Sequence, residues 1–225
     1  MAPAFALLPS PLLGPSVWEP AARSLRAGGW EAVVCAAPRR VVTTHDVLCA
    51  LTSALPVTSD VVLVAHSNAG AYVPALVTRR SVRGVVLVDA VLPASRGTLH
   101  LAPAALLDLL RARADPAGML PVWTRWWEEA DVAPLFPDAA TRERVEREQQ
   151  RLPLSYFEET IDVPPGWDDL DAAYLAFGDG YVDEVADARR RGWRVTTLPG
   201  RHLHMLVDPD RVAAEIVALA GHMRR

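Results

Sequence analysis

A serine at the end of an apolar run and a pair of histidines near the C-terminus are the residues of this chain best placed for nucleophilic chemistry. Residues 61–70 read Val-Val-Leu-Val-Ala-His-Ser-Asn-Ala-Gly. A strand that turns abruptly into a helix holds its turn residue at a strained backbone angle on an exposed tip, and the small residues Ala65 and Ala69 would let the two segments pass without collision. Ser67 is therefore the candidate nucleophile; the blander alternative is a serine that only caps a helix. Residues 198–212 read Leu-Pro-Gly-Arg-His-Leu-His-Met-Leu-Val-Asp-Pro-Asp-Arg-Val. Only one imidazole nitrogen can lie within hydrogen-bond reach of the serine, so His202 and His204 are rivals for its proton. His66, beside the serine, is expected to pack rather than react, and His45, His100 and His222 are given no role.

The elements that must position these groups follow from hydrophobic periodicity. Short apolar runs at 5–8, 31–35, 61–65, 85–88, 173–177 and 194–198 predict six strands. Amphipathic stretches at 17–27, 43–55, 69–80, 182–191 and 209–223 predict the helices between them, with Asp208 capping and Pro209 opening the last. Strands alternating with helices imply a doubly wound, mostly parallel sheet in an α/β fold. The stretch 92–171 breaks this rhythm, with helical character and no convincing strand. It is too long for a plain connection. It is expected to form a helical cap inserted into a single core built from 1–91 and 172–225.

Composition excludes several classes. All 23 basic residues are arginine, so lysine Schiff-base or general-base chemistry is ruled out. A net charge of −4 leaves no electrostatic footprint for nucleic acid. Cys35 and Cys49 form neither a disulfide framework nor a metal cluster and are expected to be buried free thiols. The N-terminal segment lacks a basic leader and no apolar run is long enough to span a bilayer, so a cytoplasmic location without membrane partners is expected. Pairing with a second copy of the chain is left open.

The strand–Ser67–helix segment, the inserted cap and the histidine loop before the terminal helix together resemble the α/β-hydrolase superfamily, with alanine at both glycine positions of its Gly-x-Ser-x-Gly elbow. The resemblance implies a Ser-His-acid triad without metal or organic cofactor. Its spacing, with the base about seven residues before the proline that opens the final helix, selects His202 over His204. In most members the acid follows the seventh strand as Gly-x-x-Asp. Here that strand ends Phe177-Gly178-Asp179-Gly180-Tyr181, which puts Asp179 out of register. Members similar to haloalkane dehalogenases and pancreatic lipases carry the acid after the sixth strand, where this chain has Asp89. Asp89 is narrowly preferred, Asp179 stays open, and Asp183 is an outsider.

The resemblance also implies an oxyanion hole made by the amide of Asn68 and one from the loop after the first strand. That loop reads Leu8-Pro9-Ser10-Pro11-Leu12, and the expected second donor falls on Pro11, which has no amide hydrogen. Leu12 or the Ser10 hydroxyl must substitute. Trp123, Trp126 and Trp127 share one face if their segment is helical. Such a stripe can be plain core packing, but at least one of the three is expected, with Tyr156, Phe157 and Trp167, to wall an apolar pocket for a small organic substrate. The expected activity is hydrolysis of an ester, thioester or lactone. The alternatives are a cofactor-independent lyase or cyclase in a tailoring role, and a non-catalytic small-molecule receptor. Replacing His202 by alanine should damage turnover as much as replacing Ser67, while His204→Ala should be mild; steady-state rates of the three variants would reveal a misassigned base if His204→Ala were the dead one.

Overall fold

The computed structural model describes residues 3–36, 40, 42–57 and 60–224; Met1 and Ala2 of the N-terminal segment lie outside them. Six strands, β1 (Ala4–Leu8), β2 (Ala32–Val34), β3 (Val61–His66), β4 (Gly84–Val88), β7 (Asp171–Phe177) and β8 (Arg194–Leu198), form one sheet in the order β2-β1-β3-β4-β7-β8. Every pairing is parallel, with Leu8 opposite Ala65 and His66 opposite Val88. Strands β1, β3 and β4 are buried at every position, as expected for apolar runs covered on both faces.

The covering helices are α1 (Glu19–Ala27), α2 (Thr44–Ala54), α3 (Val73–Arg79), α8 (Val182–Arg190) and α10 (Pro209–Ala220). Right-handed crossovers put α1 on one face and α2, α3 and α8 on the other, because the connection from β1 runs to its left and those from β2, β3 and β7 run to the right. Helix α10 returns to pack against α1. The winding reverses between β1 and β3, which opens a crevice at their carboxyl ends, the usual ligand position in such sheets. Local signals set the helix ends. Thr43 and Asp46 form a reciprocal capping box on α2, and the Asp208 carboxylate accepts from the Arg211 amide at 3.1 Å at the start of α10.

Between β4 and β7 the chain builds α4 (Ala104–Arg111), α5 (Glu129–Val132), α6 (Ala139–Glu148) and α7 (Leu154–Glu158). It also builds two strands that the sequence reading did not foresee, β5 (Gly97–His100) and β6 (Thr160–Val163), paired antiparallel. Each is four residues long, β5 is mostly exposed, and the partners are remote in sequence, so neither alternation nor a turn signal marks them locally. Cys35 is buried as expected, and burial raises its thiol pKa to about 12. Cys49 is exposed instead, on α2, with its sulfur 3.3 Å from His45 Nε2.

The elbow after β3 carries a different close contact from the one expected at Ala69. Ser67–Tyr72 is a 3-10 turn, α3 begins only at Val73, and the crossing is tightest at Gly70, where a Cβ would stand 2.2 Å from the Val91 carbonyl oxygen. That oxygen is backbone and cannot swing away. Gly70→Ala should therefore lower unfolding free energy by about 1–3 kcal/mol, read from urea denaturation midpoints, and an unchanged midpoint would show that the Val91 turn yields freely.

Candidate active site

The carboxyl ends of β3 and β4 each terminate in a non-glycine residue with left-handed backbone geometry: Ser67 with φ 57° and Asp89 with φ 44°. They are coupled. The Val91 amide donates to the Ser67 carbonyl at 3.1 Å, and the Asp89 amide donates to the Leu175 carbonyl at 2.8 Å. The Tyr174 hydroxyl braces the residue between them, accepting from the Ala90 amide at 2.9 Å and donating to the Ala90 carbonyl at 2.6 Å. This arrangement turns the Ser67 and Asp89 side chains toward the crevice instead of along their strands.

Asp89 is 1% exposed and both of its carboxylate oxygens are engaged. Oδ1 accepts from the Phe177 amide at 2.9 Å, and Oδ2 lies 2.7 Å from His202 Nδ1. Asp179 also borders the cavity but is exposed, and no contact joins it to His202. Its turn meets the histidine loop through the backbone instead: Gly178 has φ 68°, and a Cβ there would lie 2.7 Å from the Gly200 carbonyl, so the turn after β7 packs directly on that loop. His204 starts the short α9 (His204–Val207) and packs its ring on Phe177 at 5.4 Å, away from the cavity wall.

Three rings surround the His202 imidazole: His66 at 4.5 Å, Tyr181 stacked at 5.7 Å, and Trp123 at 5.8 Å between centroids. His66 is fully buried, with Nε2 2.9 Å from the His202 carbonyl oxygen and Nδ1 unpartnered among the described residues. Burial, reinforced by the neighbouring His202, holds its pKa well below the ordinary 6.5, so it is neutral and donates Nε2–H to that carbonyl. It fixes the loop carrying His202 through the backbone. Tyr181, which the sequence reading passed over, lines the cavity beside Ser67; burial raises its phenol pKa, opposed by a hydrogen bond with Ser67. An aromatic after a Gly-Asp-Gly turn has no periodic signal that could have marked it.

The loop after β1 is pinned from above. The Ser16 amide donates to Glu148 Oε2 at 2.7 Å and Gln150 Nε2 donates to the Pro11 carbonyl at 3.3 Å, both partners lying at the end of α6. Of the two substitutes expected for the missing Pro11 amide, Leu12 borders the cavity. Ser10 does not: it is 1% exposed, and its hydroxyl accepts a long 3.4 Å contact from the Leu12 amide. The tight turn at Ser10, closed by the Leu13 amide on the Ser10 carbonyl at 3.0 Å, draws the hydroxyl inward. The Asn68 amide, second in the 3-10 turn, has no acceptor within that turn and is free to donate toward the crevice.

The cavity measures about 910 Å³. Ser67, Asn68 and His202 form part of its floor, and Leu101, Leu106, Leu135 and Phe157 of the segment between β4 and β7 contribute apolar wall. Trp123, Trp126 and Trp127 all border it, though on a 3-10 turn (Trp123–Arg125) and the residues after it, not on one helical face. Trp126 donates Nε1–H to the Pro121 carbonyl at 2.8 Å, while Trp127 is 41% exposed. Two expected wall residues sit elsewhere. Tyr156 is fully buried behind Asn68, where its hydroxyl finds partners, and Trp167 packs edge-on against Trp193 with Nε1 donating to the Ala94 carbonyl. Large aromatics with a polar handle were driven inward to satisfy that handle.

The sequence profile of the alpha/beta hydrolase family matches residues 3–215. This chain belongs to the alpha/beta hydrolase family. No curated protein matches it at a significant level. Among solved structures it is similar to an extracellular alpha/beta-hydrolase from a Paenibacillus species, described as sharing homology with tobacco salicylic acid binding protein 2, at 15% identity and a TM-score of 0.74 over 96% of this chain and 98% of that one. It is similar to the pyrethroid hydrolase PytH at 18% identity and TM-score 0.70, with 99% of each chain covered. It is also similar to tomato methylketone synthase I at 13% identity and TM-score 0.74, with 100% of each covered. At these identities the likeness is one of fold. No helix among the described residues is long and apolar enough to cross a membrane.

The neutral His66 carries a pH consequence. Its folded pKa lies below the unfolded value, so the unfolded chain binds the extra proton first, and this contribution to stability is present above about pH 6.5 and lost as pH falls below it. His66→Gln, which can keep a donor toward the His202 carbonyl, should shrink the difference between urea midpoints measured at about pH 8 and pH 5.5. An unchanged difference would mean His66 is not the group that titrates.

Proposed function

We propose that this member of the family is a serine hydrolase that cleaves an ester, thioester or lactone of a mainly apolar small molecule. The observation that carries the reading is the 2.7 Å contact between Asp89 and His202 Nδ1 on the floor of a cavity that Ser67 shares. With Nδ1–H directed at Asp89, Nε2 is the nitrogen left to take the Ser67 proton. Ser67 Oγ bonds to the substrate carbonyl carbon while its proton passes to Nε2. The imidazolium, stabilised by Asp89, then protonates the leaving group as its bond to the acyl carbon breaks. Water, deprotonated by the same nitrogen, adds to the acyl carbon, and the imidazolium returns that proton to Ser67 Oγ as the bond between Oγ and the acyl carbon breaks. Asp89 is the acid in this reading and Asp179 is not.

The substrate class follows from the wall. Its tryptophans and leucines suit an apolar acyl or ring system, and the segment between β4 and β7 acts as the cap that selects it. The neighbour named a pyrethroid hydrolase fits an apolar ester. A cytoplasmic location belongs to the same proposal and is supported by two free thiols in a chain whose described residues contain no disulfide. One observation favours a second reading: the loop after β1 carries Pro11 where a donor is expected, which suits a non-hydrolytic tailoring enzyme on the same floor.

Ser67→Ala should abolish hydrolysis of p-nitrophenyl esters without loss of fold. Asp89→Asn should lower the rate by about four orders of magnitude and Asp179→Asn far less. Residual turnover above a few per cent in Ser67→Ala would remove the serine from the mechanism. Incorporation of labelled oxygen from water into the acid product separates hydrolysis from the tailoring reaction, and tight binding without turnover would point to a receptor.

A further inference from the structure

Behind the elbow lies a buried polar chain that the nucleophile, base and acid do not use. Tyr72 is fully buried, and its hydroxyl lies 2.6 Å from that of Tyr156, also fully buried; the Tyr156 hydroxyl lies 2.9 Å from Asn68 Oδ1. Burial raises both phenol pKa values, so both hydroxyls keep their protons. The order of donation is then fixed. Tyr156 is the partner within hydrogen-bond distance of the Tyr72 hydroxyl, so Tyr72 donates to Tyr156 and Tyr156 donates to Asn68. The reverse order would leave the Tyr72 proton sealed in the core without an acceptor, a loss that buried hydroxyls avoid.

That order sets the Asn68 carboxamide. Its oxygen must face Tyr156, and its NH2 group must face the other way. Nδ2 makes no hydrogen bond among the described residues and is not one of the sealed polar atoms, while the residue borders the cavity next to Ser67. A donor therefore opens onto the cavity beside Ser67. The loop after β1, the other expected source, has no hydrogen at Pro11 and has drawn Ser10 inward, and although Leu12 borders the cavity its amide is turned onto the Ser10 hydroxyl at 3.4 Å.

Resting on the serine-hydrolase reading, we propose that the Asn68 side-chain amide is the second oxyanion donor, held in place by Tyr156 and Tyr72. Asn68 is thus a catalytic residue through two groups, its backbone N–H and its Nδ2–H, and the two tyrosines are positioning residues. A carboxamide locked by a hydroxyl relay is pre-organised, so it stabilises the oxyanion without reorienting during the reaction.

The test uses the intact enzyme with p-nitrophenyl butyrate as substrate, phenylboronic acid as a tetrahedral-adduct inhibitor and a fluorophosphonate probe of Ser67. Asn68→Ala should lower kcat about a hundred- to a thousandfold with KM changed less than about threefold, and should weaken boronate inhibition in parallel. Asn68→Asp, which can still accept from Tyr156 but loses the NH2, should be as impaired, and this pair guards against a cavity effect in the alanine variant. Tyr156→Phe should give a smaller loss, about tenfold, in kcat and boronate affinity alike. Wild-type kcat in Asn68→Ala, or a lowered kcat with unchanged boronate affinity, overturns the assignment while fluorophosphonate labelling of the wild type leaves the hydrolase reading standing. A wild type that neither labels at Ser67 nor turns over the ester removes both.

Discussion

The site depends on one backbone constraint: two adjacent parallel strands end in left-handed non-glycine residues that are tied to each other. Such geometry costs of order 1–3 kcal/mol per residue and persists only where the surroundings over-determine it. Here the over-determination is explicit. The Ser67 carbonyl takes the Val91 amide, the Asp89 amide reaches across to β7, and the Tyr174 hydroxyl satisfies both backbone groups of Ala90. Neither turn could relax without unpairing buried groups of the other. The core below supplies the rigidity, since β1, β3 and β4 are buried on both faces and cannot shift to relieve strain at their ends.

The same turns resolve an electrostatic problem. A carboxylate as buried as Asp89 is stable only when its oxygens are matched by donors, and it has one on each: a backbone amide and an imidazole. A second imidazole packs 4.5 Å from the first, and two cations at that spacing would repel. Burial of His66 removes the conflict by keeping that ring neutral. The His202 ring therefore rests on an uncharged neighbour.

What could be read in advance divides along sequence distance. Ser67 and His202 each sit in a contiguous string whose spacing carries the signal, and the sheet strands other than the edge strand β8 are short apolar runs with clear ends. Asp89 and Asp179 could be ranked only narrowly, because their difference lies in a meeting between the end of β4 and a loop after β8. Strands β5 and β6 were hidden because four-residue partners far apart leave no local pattern. Tyr156 and Trp167 were misplaced for a related reason: aromatic content predicts burial well, but which side of the cavity wall an aromatic takes is decided by where its hydroxyl or indole N–H finds a partner. The Asn68 carboxamide was invisible in the sequence since its orientation depends on two tyrosines, one of them from the segment between β4 and β7.

The pinning of the loop after β1 bears on traffic through the cavity. Glu148 and Gln150 bind the Ser16 amide and the Pro11 carbonyl, so the roof above the floor is fastened at one rim to the very loop that borders the cavity at Leu12. Lifting that rim would drag the loop with it and disorder the floor at each opening. Trp127, which stands partly in solvent, and the exposed turn at Asp179 and Gly180 also border the cavity. The turn packs on the histidine loop at Gly200, so a change there would reach the floor, whereas the half-exposed indole of Trp127 could be exchanged for a smaller or larger side chain and alter the breadth of the cavity with the floor left in place.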